Sequence, residues 1–156
     1  MKKWLIWVCI FTAVAFLAGC GGNQIPEKFK VSFAPAKKYE GNAKGTAVID
    51  TKTGADVSFK ISGLESGKVY TAFFVNIKSK MFQGIGEEPY TLSVDASGNV
   101  DVTAKIPKDS YKRFTKLAIY LNPGGKPIHN PVGVKAKLGA VLKSEKPKMV
   151  LVAKLR

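Results

Sequence analysis

The stretch Val57-Ser-Phe-Lys-Ile-Ser62 alternates apolar and polar side chains without a break. Successive side chains of a β-strand point to opposite faces of a sheet, so this pattern predicts a strand with one buried face and one face in water. The Gly-Leu-Glu-Ser-Gly sequence of residues 63–67 follows and is typical of a turn. Residues 69–77 then carry apolar side chains at odd and even positions, which predicts a central strand buried on both faces.

The same alternation recurs along the chain at the short spacing that is typical of antiparallel sheets. We predict eight or nine strands, over residues 29–33, 46–50, 57–62, 69–77, 92–94, 100–106, 117–121, 134–142 and 149–155. Residues 108–114 form either a short helix or an irregular crossover. The pattern predicts an all-β fold, an antiparallel two-sheet Greek-key sandwich of immunoglobulin-like or related type, with a closed barrel as the alternative.

The N-terminal segment has the composition of a secretory signal peptide. Two lysines precede the uncharged apolar run Trp4–Phe16, which is shorter than the ~20 residues that span a bilayer as a helix. The next four residues, Leu-Ala-Gly-Cys at 17–20, resemble the lipobox of bacterial lipoproteins. The resemblance implies cleavage between Gly19 and Cys20 and a diacylglycerol group on the Cys20 thiol.

These features divide the chain into a signal peptide (residues 1–19), a lipidated flexible tether (residues 20–27) and a β-sandwich domain (residues 28–156). An uncleaved signal anchor with a coincidental cysteine is the alternative. The lipid would hold the protein outside the cytoplasm, on the cell membrane or the outer membrane. The resemblance favours the outer membrane, where one exists, because Gly21 stands where an Asp would retain the protein at the inner membrane. With Cys9 in the leader and Cys20 lipidated, the domain has no disulfide.

The chain is strongly basic, and its basic residues are nearly all lysines. Loss of the two leader lysines lowers the formal net charge from +14 to +12. Lysine supplies a hydrated point charge rather than the bidentate contacts of arginine. The composition therefore favours diffuse attraction to an anionic envelope polymer, a lipid headgroup or an acidic protein over a shaped pocket; a solvated surface without a partner is the alternative. We expect no nucleic-acid partner in this compartment.

The segment from Gly45 to Gly67 is similar to the opening of Cu/Zn superoxide dismutase and of chordin-type (CHRD) domains, where paired strands lead to a Gly-Leu-x-x-Gly turn. The resemblance implies a superoxide-dismutase-like sandwich. Those families carry metal-binding histidines on the next strand, whereas residues 69–76 contain none. Copper and zinc need clusters of imidazole or thiolate ligands, and His129 is the one histidine of the chain. We therefore expect no dismutase activity and no metal or other cofactor.

Two loops are candidates for binding a partner. Segment 78–89 is long for a hairpin and contains Met81, Phe82 and Ile85. These side chains either form an exposed surface or fold back to plug the end of the sandwich, and the second arrangement is favoured because ordered loops pack their own side chains. The loop 122–131 carries His129 and is either a pH-sensitive contact or a plain surface loop. No catalytic motif is present, so no catalytic residue is predicted.

The sequence thus indicates a non-catalytic, membrane-anchored envelope lipoprotein that binds an anionic or protein partner through strand-end loops and a lysine-rich surface. A carrier of a small molecule or metal outside the cytoplasm is the first alternative. An envelope enzyme with an unrecognised site is the second.

The lipid at Cys20 can be tested directly. Mass spectrometry of the native protein should show a chain that begins at residue 20 and carries at least two acyl chains. The Cys20→Ser variant should keep its leader and lack the lipid, because the acceptor thiol is gone. A native chain with a bare thiol at residue 20, or with an intact leader, would contradict the prediction.

Overall fold

The chain folds as a series of short antiparallel strands. The computed structural model describes residues 26–52, 55–122, 124–125 and 147–156. Its strands are β1 (Lys28–Pro35), β2 (Lys44–Asp50), β3 (Asp56–Ser62), β4 (Val69–Asn76), β5 (Met81–Gly84), β6 (Thr91–Leu92), β7 (Val100–Lys105), β8 (Lys116–Asn122) and β9 (Lys148–Lys154). The described residues contain no α-helix, only the 3-10 helix Ser110–Arg113, and no helix long and apolar enough to cross a membrane. The prediction of an all-β antiparallel fold is confirmed.

Strand β1 belongs to two sheets. Its residues 28–33 pair with β2, which continues through β3 to β7, and this set is called sheet A. Its last residues, Ala34 and Pro35, pair with β9, which continues through β8 to β4, β5 and β6, and this set is called sheet B. The last strand thus returns beside the first, which gives the order β9-β1-β2-β3.

The two sheets curl into a half-barrel whose open side lies between β5 and β7. One backbone hydrogen bond bridges this side, from the amide of Gly86 to the carbonyl of Lys105 (3.1 Å). Just before it, the amide of Ile85 bonds to the carbonyl of Ala72 in β4 (3.0 Å). The architecture is therefore a sandwich joined continuously along β1 and nearly closed on the opposite side.

The main core fills the space between the two sheets. The alternation predicted for residues 57–62 is confirmed, because Val57, Phe59 and Ile61 are buried in this core. At one end, the 3-10 helix closes the interior with aromatic contacts to both sheets. Tyr111 packs on Phe29 of β1, with ring centroids 5.7 Å apart. The helix therefore accounts for residues 108–114, which the sequence left as a short helix or a crossover.

Sheet B carries a second apolar cluster on its outer face, as the two-sided pattern of residues 69–77 predicts. Phe73 lies at its centre and contacts the rings of Phe82, Tyr90 and Tyr120, with centroids 6.0 to 6.4 Å apart. The Tyr90 ring lies directly over Gly84, where a Cβ atom would come within 2.4 Å of it. Glycine is therefore required at this position. Burial raises the pKa of Tyr120 to about 12.

Part of the predicted pattern differs from the structure or lies outside it. Residues 81–84, expected within a long loop, form strand β5, because β4 offers them a free edge on which to pair. The predicted strand 134–142, the signal peptide and most of the tether lie outside the described residues.

Shortening a large side chain of the main core should lower the free energy of unfolding strongly. Phe59 is fully buried and stacks on Phe33, with ring centroids 6.5 Å apart. We expect Phe59→Ala to lower the free energy of unfolding by about 3–5 kcal/mol, measured by urea denaturation, because it removes apolar contacts and leaves a cavity. The matched control is Lys60→Ala on the exposed face of the same strand, which should change it by less than about 1 kcal/mol. Equal losses would contradict the assignment of faces.

Tyr120 should make stability fall at high pH. In the unfolded chain its phenol ionises near the ordinary pKa of 10.0, whereas in the folded protein it stays neutral up to about 12. The full stability is therefore present below pH 10 and is lost as the pH rises from 10 towards 12. Urea denaturation at pH 9 and pH 11 should show about 1 kcal/mol of this loss, and Tyr120→Phe should remove that part. If Tyr120→Phe lost as much stability between pH 9 and pH 11 as the native protein, the prediction would be wrong.

Candidate functional site: a lysine-lined groove

The outer face of sheet A is polar, and much of its charge is balanced. Lys28 pairs with Asp50, and Lys105 pairs with Asp56, each at 2.8 Å between nitrogen and oxygen. Cross-strand neighbours bring these four residues into one row, because Lys28 faces Asp50, Asp50 faces Asp56, and Asp56 faces Lys105. Lys30 and Lys44 on these strands are exposed and belong to no such pair, so the face keeps a small positive excess.

An open groove with lysines on two sides lies where β1 ends and β9 begins. After Pro35, the amide of Ala36 donates to the carbonyl of Val150 (3.0 Å), which holds the end of β1 against β9. The amide of Tyr39 then donates to the carbonyl of Ala36 (2.9 Å) and closes a tight turn. Lys37 and Lys38 occupy the two central positions of this turn, so their side chains point into solvent.

The other side of the groove is built from the start of β9. The groove encloses about 630 Å³ and is lined by Ala36, Lys37, Lys38, Pro147, Lys148 and Met149. The three lysines are exposed, whereas the alanine, proline and methionine are half-buried. Within residues 26–52, 55–122, 124–125 and 147–156, no carboxylate oxygen lies within 4.0 Å of these three ammonium groups. We call this feature the lysine groove.

Two acidic side chains lie close to this turn. Glu40 is exposed just after Tyr39, and Glu65 is close enough to Tyr39 to affect its phenol. Burial raises the pKa of Tyr39 first, and the negative charge of Glu65 raises it further. Neither Glu40 nor Glu65 is among the residues that line the groove.

The chemistry of the lysine groove suits a flexible anion. Lysine ammonium groups are hydrated, mobile point charges, and they do not impose the planar geometry of an arginine fork. The half-buried apolar side chains between them can cover the carbon skeleton of a ligand while the ammonium groups meet its charges. A polymer or amphiphile that bears phosphate or carboxylate groups fits this combination.

The structure places the predicted partner-binding residues away from this groove. Ile85 is 2% exposed and belongs to the main core, which fits the favoured arrangement in which the segment folds back and not the alternative of a partner-binding surface. Met81 packs against the main core and Phe82 against the outer cluster, and both are half-buried. The segment is therefore folded back onto the half-barrel. His129 lies outside the described residues.

In the part of the chain that the structure describes, no three His, Cys, Asp or Glu side chains lie together as metal ligands would. Asp50 and Asp56 face each other on neighbouring strands, yet each is ion-paired with a lysine. They form part of the balanced row on sheet A.

Comparison with protein-family models, with curated proteins and with solved structures finds no match to this chain. The groove has to be interpreted from its own geometry.

Sequence reasoning missed the lysine groove for a definable reason. The pair Lys37-Lys38 just after a strand ending in Pro35 is visible in the sequence as a basic turn. Lys148 lies beside this turn only because β9 pairs with β1. A local pattern does not reveal which distant strand will pair with a given one.

Proposed function

We propose that this protein is a non-catalytic lipoprotein of a bacterial envelope, anchored by lipid on Cys20, that binds an anionic envelope polymer in the lysine groove. The signal-like N-terminus supports the anchor and the compartment. The observation that carries the binding proposal is the convergence of three exposed lysines from two distant segments on one open groove. Charges of one sign brought together without a nearby carboxylate repel one another, and an anionic ligand would relieve that repulsion.

The proposal fits the chemical character of the rest of the chain. The net charge of the mature chain would attract polyanions from a distance, and the groove would give them a local place to bind. The lipid would keep the protein at the membrane surface, because two or more acyl chains hold a protein there stably. The protein would then link the membrane to anionic material in the envelope.

Reversing charge in the groove should weaken this binding. Full-length protein in non-ionic detergent would be titrated with fluorescently labelled long-chain polyphosphate as the probe. We expect the double variant K37E/K38E to raise the dissociation constant at least about tenfold, which corresponds to ~1.4 kcal/mol. The binding of the native protein should also weaken steeply as salt increases, because these exposed charges are screened.

The matched control is the double variant K30E/K44E, which makes the same change in net charge on the strands of sheet A. Both residues are exposed, and neither lines the groove. This control should lose much less affinity than K37E/K38E. Equal losses would mean that only net charge matters and would reject the groove as the site. Binding that does not respond to salt would reject the electrostatic mechanism.

A further inference from the structure

The end of the half-barrel opposite the lysine groove lies where the tether joins the domain. The carbonyl of Glu27 accepts hydrogen bonds from the amide and the hydroxyl of Thr51 (2.7 and 3.0 Å), which holds the start of β1 in place. Residues 21–26 are all that separate Cys20 from Glu27. Fully extended, this link spans at most ~25 Å, and as a Gly-rich coil it averages ~15 Å. A lipid on Cys20 would keep this end close to the bilayer.

The 3-10 helix connects the tether attachment to the neighbouring edge of sheet B. Tyr111 packs on Phe29 of β1, and two residues later the carbonyl of Arg113 accepts a hydrogen bond from Asn76 Nδ2 (2.9 Å). Asn76 ends β4, whose Val75 faces Lys116 at the start of β8. The 3-10 helix, the end of β4 and the start of β8 therefore form one continuous surface with the start of β1. We call this surface the tether end.

Basic side chains crowd the tether end. Lys116 faces Lys154 directly on the neighbouring strand, an arrangement that is unfavourable because like charges repel. In the described part of the chain no carboxylate oxygen lies within 4.0 Å of either ammonium group. The aspartates at this end, Asp50, Asp56 and Asp109, are each paired with another lysine. The remaining basic side chains here are Lys78, Lys80, Arg113 and Arg156, all exposed. Both arginines of the chain thus lie at this end.

An exposed isoleucine lies close to two of these lysines in the chain. Ile77 is 50% exposed and is the large apolar side chain most open to solvent among the described residues. It begins the turn Ile77–Lys80, in which the amide of Lys80 donates to the carbonyl of Ile77 (3.3 Å). Asn76 Oδ1 accepts from the amide of Ser79 (3.3 Å) and supports the same turn. An apolar side chain flanked by lysines matches the interface of a membrane, where apolar groups enter the acyl region and ammonium groups meet the headgroups.

We propose that the tether end docks on an anionic lipid bilayer, with Ile77 inserted at the headgroup boundary and the surrounding basic side chains against the headgroups. The bilayer is the occupant that the tether favours, because the short link from Cys20 brings this surface to the membrane. The inference rests on the lipid anchor of the proposed function and adds an orientation to it. The lysine groove, at the other end of β1, then faces away from the membrane.

Fluorescence quenching can test this orientation in the lipidated full-length protein reconstituted into vesicles. An environment-sensitive dye would be attached to Ser79→Cys in the turn or, as the control, to Ser66→Cys just before β4. Because β4 has 8 residues, the two sites lie ~23 Å apart along the strand. In phosphatidylglycerol vesicles, nitroxide-labelled lipid should quench the dye at residue 79 at least about threefold more than at residue 66. Neutral phosphatidylcholine vesicles should abolish most of the difference.

Variants should distinguish docking through the tether end from a general effect of net charge. K78E/K80E should remove the difference in quenching, and Ile77→Ser should reduce this difference by about half or more. The control K37E/K38E carries the same charge change at the other end of the half-barrel and should leave the difference intact. Equal quenching at residues 66 and 79, or equal effects of the two double variants, would overturn the proposal. A protein that does not float with the vesicles lacks the anchor and would overturn it too. Polyphosphate binding by the same preparations reports on the lysine groove separately.

Discussion

Membership of strand β1 in two sheets is the constraint on which the rest of the structure depends. Its first residues pair with β2 and its last two with β9, so one strand joins sheet A to sheet B. Val31 and Phe33 point from it into the main core. The two ends of this strand mark the two ends of the half-barrel at which the proposed binding surfaces lie. One lies next to Glu27, where the proposed tether would join the domain, and the other leads into the turn of the lysine groove.

The charged side chains are distributed unevenly between the middle of the half-barrel and the two ends marked by strand β1. On the outer face of sheet A, three lysines pair with aspartates, and surface pairs of this kind contribute little to stability but cancel much of the local field. Lysines without such partners lie at both ends of the half-barrel and also on the strands of sheet A, where Lys30 and Lys44 are exposed. One cluster lies at the end where β1 begins and the other at the end where β1 stops, and we propose both as surfaces for anionic partners.

Apolar packing must supply the stability of this domain, because its sequence offers no disulfide. The interior between the sheets is closed at one end by the 3-10 helix, where Phe114 stacks on Phe74 with ring centroids 5.8 Å apart. The outer face of sheet B adds the cluster around Phe73. A small β-domain that buries apolar groups on both faces of one sheet gains area that a single core would not provide.

The sequence by itself determined the strand class and the faces of individual strands, because side-chain alternation is a local property: Val57, Phe59 and Ile61 are buried as their spacing predicts. It also predicted the two-sided burial of β4. Only the tertiary structure decided that residues 81–84 form a strand, that Ile85 is buried and that Lys148 lies beside Lys37 and Lys38. The physical reason is that these features depend on pairing between segments distant in the chain, and alternation specifies a face but not a partner.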